Sequence, residues 1–259
     1  MKGREVFYNP RQKIFPWLGG PPPLYDFEKK IFIDWNAKCG SVLVMLMFYK
    51  EIGVLEYALK KYIWIHKYRN HEYYKTKVKP LFLDEVLSPQ ILTLKIVRNP
   101  FSRAVSSYRH AFGRKKQISG RNNLGDDLSF VEFLEVISNK KKDDQHWQPQ
   151  KRSIEDKYEN FFDHVCKLEQ IEKDISKVNI SFGTSFDPNI LREMNYMTGR
   201  FATKDIEWKK NVSCWKWSDL PHNALPPDIC FYNDKCISLV NKKYREDIEC
   251  YKYSIEDIR

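Results

Sequence analysis

Lys38, Gly40 and Ser41 stand together between two apolar runs. Ile31–Asp34 is short, apolar and β-branched, which reads as a buried strand. Val42–Tyr49 is apolar again and long enough for a buried helix. Strand, tight turn and helix aim a helix N-terminus at whatever the turn holds, and that end of a helix attracts anions. Lys38 adds a positive charge, Gly40 lets the backbone come close to a ligand, and Ser41 supplies a hydroxyl. The chemistry these residues suit is the cradling of a phosphate or a sulfate. The loop is not a Walker A sequence, G-x-x-x-x-G-K-[ST], because its lysine precedes its glycine in a shorter turn. The plainer reading is an ordinary βα turn with a solvated lysine.

A second constellation follows at residues 91–112, ILTLKIVRNPFSRAVSSYRHAF. Ile91–Val97 is a strand by composition. Asn99 can cap the next helix and Pro100 suits its first turn. Arg98 then lies at the C-terminal end of a strand, where open α/β sheets bind ligands. With Ser106 about two turns along the helix, it offers a guanidinium and a hydroxyl for a second phosphate. Alternatively, Arg98 is a surface charge and Ser106 a small packing residue.

Three histidines are placed for proton transfer, since imidazole titrates near neutral pH. His66 and His71 lie in a stretch rich in aromatics and bases, residues 54–75, and His146 lies in the segment DQHWQPQ. Trp147 beside it is a plate on which a sugar or other ring could stack, with His146, Gln148 and Gln150 as hydrogen-bonding neighbours. A Trp-Pro packing corner is the alternative.

Together these stretches resemble the sulfotransferase superfamily, closest to the carbohydrate sulfotransferase (sulfotransferase family 2-like) branch. Arg98, Pro100, Arg103 and Ser106 match the family pattern R-x-P-x-x-R-x-x-S in order. The Lys-Cys-Gly-Ser loop, the DQHWQPQ segment and the tail with Tyr244 and Asp247 match that branch, sparsely, over roughly residues 28–253. The resemblance implies 3′-phosphoadenosine 5′-phosphosulfate (PAPS) as sulfuryl donor, with Lys38, Cys39, Gly40, Ser41 and Val42 on the 5′-phosphosulfate. It places Arg98 and Ser106 on the 3′-phosphate. It implies a transferase of EC 2.8.2 type that sulfates a hydroxyl or amine of a glycan or small-molecule acceptor. It places a catalytic base after the first helix, with His66 the first candidate, His71 its rival there and His146 the second candidate, and it sets His146 and Trp147 near the acceptor. The implied fold is α/β, P-loop-NTPase-like, with a central parallel sheet flanked by helices.

The elements that must position these residues fit one domain spanning 1–259, with 1–27 an extended, Pro- and Gly-rich segment packed on it by Phe7, Tyr8, Phe15 and Trp17. Ser129 with Glu132 has capping-box spacing ahead of Phe133, Leu134 and Val136. Phe161–Leu168 reads as a strand and Glu169–Lys177 as a helix. Asp228–Tyr251 reads as a helical tail whose stripe of Ile237, Val240, Tyr244 and Ile248 is core. Residues 113–128 read as a polar loop whose Arg114, Lys115, Lys116 and Arg121 could meet an anionic acceptor. Arg200, Lys204, Lys209 and Lys210 are late basic candidates.

The composition is that of a soluble globular protein, 42% hydrophobic and 30% charged. A net charge of +10 suits anionic partners without choosing among nucleotide, nucleic acid and sulfated glycan. Lys60, Lys61, Lys67 and Arg69 interleave with Tyr62, Trp64 and Tyr68, which also fits a non-catalytic nucleotide- or nucleic-acid-binding protein; no recognised motif supports that alternative, and no nucleic acid is expected. Six cysteines form no C-x-x-C pair and no zinc-like spacing, so no metal is expected and the thiols are expected to be reduced. With no apolar leader in residues 1–20 and no run long enough to span a bilayer, the expected location is cytoplasmic.

Overall fold

The computed structural model describes residues 21–76, 82–113, 124, 127–140, 144–194, 210–221 and 225–258. The first part of the N-terminal segment lies outside them. So do Arg114, Lys115, Lys116, Arg121, Arg200, Lys204 and Lys209. The chain divides into two compact units. One holds the described residues up to Val97 and from Arg152 to 194, the other those from Arg98 to Lys151 and from 210 onward.

The first unit is α/β. Its sheet has four strands among the described residues, β1 (Leu24–Asp26), β2 (Ile31–Trp35), β3 (Leu92–Val97) and β4 (His164–Lys167), in the order β1-β2-β3-β4. β1 runs antiparallel to β2, while β2–β3 and β3–β4 are parallel, with Trp35 opposite Ile96 and Val97 opposite Lys167. The period of two sorts the side chains. Ile31, Ile33, Trp35, Leu92, Leu94 and Ile96 form one face. They pack with α1 (Ser41–Glu51), α2 (Leu55–Lys61), α3 (Ile65–Tyr68) and the later helix from Ile171 to Phe182. Phe32 joins the opposite cluster with Leu83, Val86, Ile154 and Phe161.

That opposite face is not wholly apolar. Asp34 of β2 stands in register with Lys95 of β3, and both side chains have no exposure. Lys95 Nζ lies 3.6 Å from Asp34 Oδ2 and also pairs closely with Glu155. Arg152 donates to Asp34 at 3.0 and 3.2 Å, and to the carbonyl of Trp35 at 3.1 Å. Two cations and two carboxylates therefore neutralise one another, with Asp34, Lys95 and Arg152 shut off from water and Glu155 at its edge.

The stretch 54–75 holds several short elements. It is α2, then α3, a π-helical turn over Arg69–Tyr73, and α4 (Tyr74–Thr76). The break falls where Tyr62 and Trp64 take extended backbone angles. Some of its bases and rings find partners inside the unit, while Lys60, Lys67 and Trp64 stay exposed. Lys61 pairs with Glu72 at 2.8 Å, Tyr62 donates to Glu72, and Arg69 lies over the rings of Trp35 and Tyr74.

The second unit is helical among its described residues. Between α4 and this unit in the chain lies α5 (Leu83–Leu87). The unit's own helices are α6 (Pro100–Gly113) and α7 (Phe130–Asn139), with a tail helix from Asp234 to Lys243 and another from Arg245 to Tyr251. The capping box at Ser129 and Glu132 is present, reinforced by Lys216 on the same carboxylate at 2.7 Å. The expected helical tail is broken at Tyr244, but its stripe holds: Val240 and Tyr244 are buried, with Ile237 and Ile248 packed against the same cluster.

Removing one charge from the buried network should cost far more than removing a surface charge. Lys95→Met is expected to lose about 3–5 kcal/mol, because Asp34 stays fully buried and Glu155 mostly so, with one cation between them. Urea denaturation checks this; a loss of less than about 1 kcal/mol, the ceiling for exposed pairs, would show that the four groups are not coupled.

Candidate functional site

The first turn that could take an anion follows β2 directly. The Cys39 N–H donates to Asn36 O at 3.1 Å and closes it. Lys38 and Gly40 both carry left-handed backbone, φ 70° and 74°. Turns that alternate left-handed residues in this way make concavities lined by N–H groups. Gly40 is the N-cap of α1, whose first internal bond runs from the Val44 N–H to Gly40 O at 3.0 Å. The N–H groups of Ser41, Val42 and Leu43 fall in the first turn, where no helical carbonyl can serve them. No acidic residue lies in that turn, and Lys50 sits in the last one, so nothing opposes an anion at the N-terminus.

Two features of this turn lay beyond sequence reasoning. A Cβ on Gly40 would stand 2.6 Å from Leu168 Cδ1, so both the backbone angle and the space demand glycine. Cys39 was expected on the ligand, but its thiol is fully buried and its N–H closes the turn; it builds the loop instead of contacting an anion. Burial also pushes the Cys166 thiol up to about 12 and Cys236 up to about 11, which leaves both as inert packing groups.

The second turn follows β3. Asn99 is buried and caps α6, its Oδ1 accepting the Phe101 N–H at 2.9 Å while its Nδ2 donates to Ser254 O. Pro100 is the first helical residue, as expected. The Arg98 side chain is 22% exposed, with Nη2 3.8 Å from Asp228 Oδ2. The other oxygen of Asp228 pairs with Arg109 at 2.8 Å. Burial lowers the Arg109 guanidinium from its ordinary value, and Asp228 opposes that shift. Ser106 is half-buried on α6. Arg103, the middle arginine of the pattern, is 1% exposed and donates to Gln148 O at 2.7 Å, so its role is architectural.

That bond belongs to a series. The carbonyls of His146, Trp147 and Gln148 accept from Ser107, Tyr244 and Arg103 respectively. The N–H groups of Gln150 and Lys151 donate to Asp247. Tyr244 and Asp247, matched only by resemblance in the sequence, are thus the anchors of the HWQPQ segment. Trp147 is not a plate for a ring: it is 1% exposed and meets Phe133 edge-on at 5.9 Å, so the packing reading holds and the acceptor-stacking expectation is corrected.

Of the candidate bases, His146 has the most developed surroundings. Its Nδ1 lies 2.5 Å from Asp144 Oδ1, and its N–H donates to the same oxygen at 2.8 Å. Burial alone would raise the Asp144 carboxyl, but these bonds outweigh it and hold the group below its ordinary value. The His110 ring stacks on His146 at 4.3 Å. A carboxylate on one imidazole nitrogen orients the ring and leaves the other to take a proton. His66 is half-buried beside Trp64, and His71 is exposed on the π-helical turn. Neither Asp144, Asp228 nor His110 was singled out in the sequence. Asp144 two residues before His146 was the only local signal.

Gly40→Ala should destabilise the fold by about 1–3 kcal/mol from backbone strain alone. Pairing it with Leu168→Ala should recover part of the loss, read as non-additivity in thermal melts. Strict additivity would show that Leu168 does not set the space above the turn.

Among the described residues no cluster of His, Cys, Asp and Glu is arranged to hold a metal ion, and no helix is long and apolar enough to cross a membrane. No curated protein and no solved structure matches the chain. A model of the sulfotransferase family matches residues 29–254, which include both turns, the buried ionic network and the HWQPQ segment. With that match running through nearly all of the described residues, the chain belongs to the sulfotransferase family.

Proposed function

We propose that this sulfotransferase is of EC 2.8.2 type and uses PAPS as donor. It moves the sulfuryl group to a hydroxyl or amine of a glycan or small-molecule acceptor. The observation that supports the reading is the turn after β2, where Lys38 and Gly40 take left-handed backbone at the N-terminus of α1, an arrangement suited to an anion. In the first unit, Lys38 with the N–H groups of Ser41 and Val42 takes the 5′-phosphosulfate. In the second, Arg98 and Ser106 take the 3′-phosphate.

The transfer is a single in-line displacement. The acceptor oxygen or nitrogen forms a bond to sulfur as the bond from sulfur to the bridging phosphate oxygen breaks, and 3′-phosphoadenosine 5′-phosphate (PAP) leaves. Negative charge grows on that bridging oxygen, where Lys38 offsets it, by the same electrostatic logic as phosphoryl transfer. His146 removes the acceptor proton. Its support is Asp144, which holds the imidazole by Nδ1 so that Nε2 presents a lone pair.

Lys38→Ala should lower kcat by about 10²- to 10³-fold with the fold retained; full activity would sink the assignment. His146→Ala should lower kcat by about 10²- to 10⁴-fold while His66→Ala and His71→Ala leave it near the parent value, and the reverse ranking would move the base to the first unit. Calorimetric titration with PAP, against ADP without magnesium, should show selective binding of PAP that is lost in Arg98→Ala. Equal binding of the two nucleotides, or steep loss with salt as in nucleic-acid binding, would remove the donor assignment.

A further inference from the structure

Arg98 is held by its backbone in an unusual way. Its N–H donates to Gln150 Oε1 at 2.8 Å, and its carbonyl accepts from Gln150 Nε2 at 2.8 Å. One side-chain amide thus meets both polar groups of one backbone residue, as a neighbouring strand would. Val97 is the last residue of β3 with a strand partner, Lys167. The glutamine therefore supplies a further rung where the ladder has ended.

Gln150 is itself fixed. Its N–H reaches both oxygens of Asp247, at 2.8 and 2.9 Å, and the N–H of Lys151 reaches Oδ1 at 2.8 Å. Gln150 and Asp247 have no exposure. The preceding carbonyls are tied down by Ser107, Tyr244 and Arg103. Only an amide of this length serves. Asn is one methylene shorter, Glu would set an oxygen against the Arg98 carbonyl, and an apolar side chain would remove both hydrogen bonds to the Arg98 backbone.

The guanidinium beyond this clamp has a competitor in Asp228, 3.8 Å away, whose other oxygen Arg109 already occupies. A small drift of the Arg98 backbone would shorten that contact and turn the fork from an incoming phosphate. We propose that Gln150, held by Asp247, is a positioning residue that aims Arg98 at the nucleotide's 3′-phosphate and so sets preference for a 3′-phosphorylated donor. This rests on the sulfotransferase reading of Arg98.

The test is calorimetric titration of PAP and of adenosine 5′-phosphate, which lacks the 3′-phosphate, into the parent chain and into Arg98→Ala, Gln150→Met and Asp247→Asn. The parent should prefer PAP. Gln150→Met should lose roughly tenfold or more in PAP affinity, the scale of one charge-assisted contact, with adenosine 5′-phosphate binding unchanged. Adding Gln150→Met to Arg98→Ala should cause no further loss of preference. If Gln150→Met does not fold, Asp247→Asn, which keeps shape and one acceptor, should lower the same ratio by a smaller factor. A folded variant that weakens both nucleotides equally, or that lowers only the melting temperature, overturns the positioning role. A parent chain that does not distinguish the two nucleotides overturns instead the sulfotransferase reading beneath it.

Discussion

Asp34 and Lys95, facing each other across β2 and β3 with no access to water, are the constraint on which the first unit depends. A slip of one residue would send both charges to the apolar face and bring Trp35 or Ile96 to the polar one. Desolvating a charge is costly, so the register is enforced more by what the wrong pairings would strand than by what the right one gains. Arg152 extends the constraint to the carbonyl of Trp35, the last residue before the anion-receptive turn. The start of that turn is held by a charge network and its end by Gly40 packed under Leu168.

In the second unit the same logic runs through hydrogen bonds. The HWQPQ segment has no strand or helix of its own to satisfy its backbone, and a buried loop must find partners elsewhere. It finds them one by one: Ser107, Tyr244 and Arg103 on three successive carbonyls, Asp247 on two N–H groups. The apolar part of the segment, Trp147, fills the core. Its polar parts are then precise enough to act on others, Gln150 on the backbone of Arg98 and His146 through its bond to Asp144. Two residues further on, Arg152 does the equivalent for β2 in the first unit. A stretch of seven residues thus supplies supports for both turns.

Much of this was legible in the chain because it is local. The β2 and β3 runs, the glycine in the first turn, Asn99 and Pro100 opening α6 and the Ser129–Glu132 capping box each announce themselves within a few residues. The errors share one cause. Trp147 and Cys39 have the right chemistry for a ligand and sit in the right stretches, but burial decides whether a side chain can use its chemistry, and burial is set by residues distant in the chain. The helical spacing of Leu55, Ala58 and Leu59 holds in α2, and beyond it Tyr62 and Trp64 take extended angles while the rings pack among themselves.

By itself the sequence determined the α/β pattern and the family, because both rest on residue types at short, fixed spacings. Only the tertiary structure decided which of the motif residues face outward and which are beams. It made Arg103 a buried tie, paired Arg98 with Asp228, gave His146 its carboxylate, and set Gln150 as the rung beyond β3. Apart from Asp144, two positions from His146, those choices join residues tens to more than a hundred positions apart. No local propensity encodes them; they follow from the rule that every polar group taken out of water must meet a partner wherever the fold brings one.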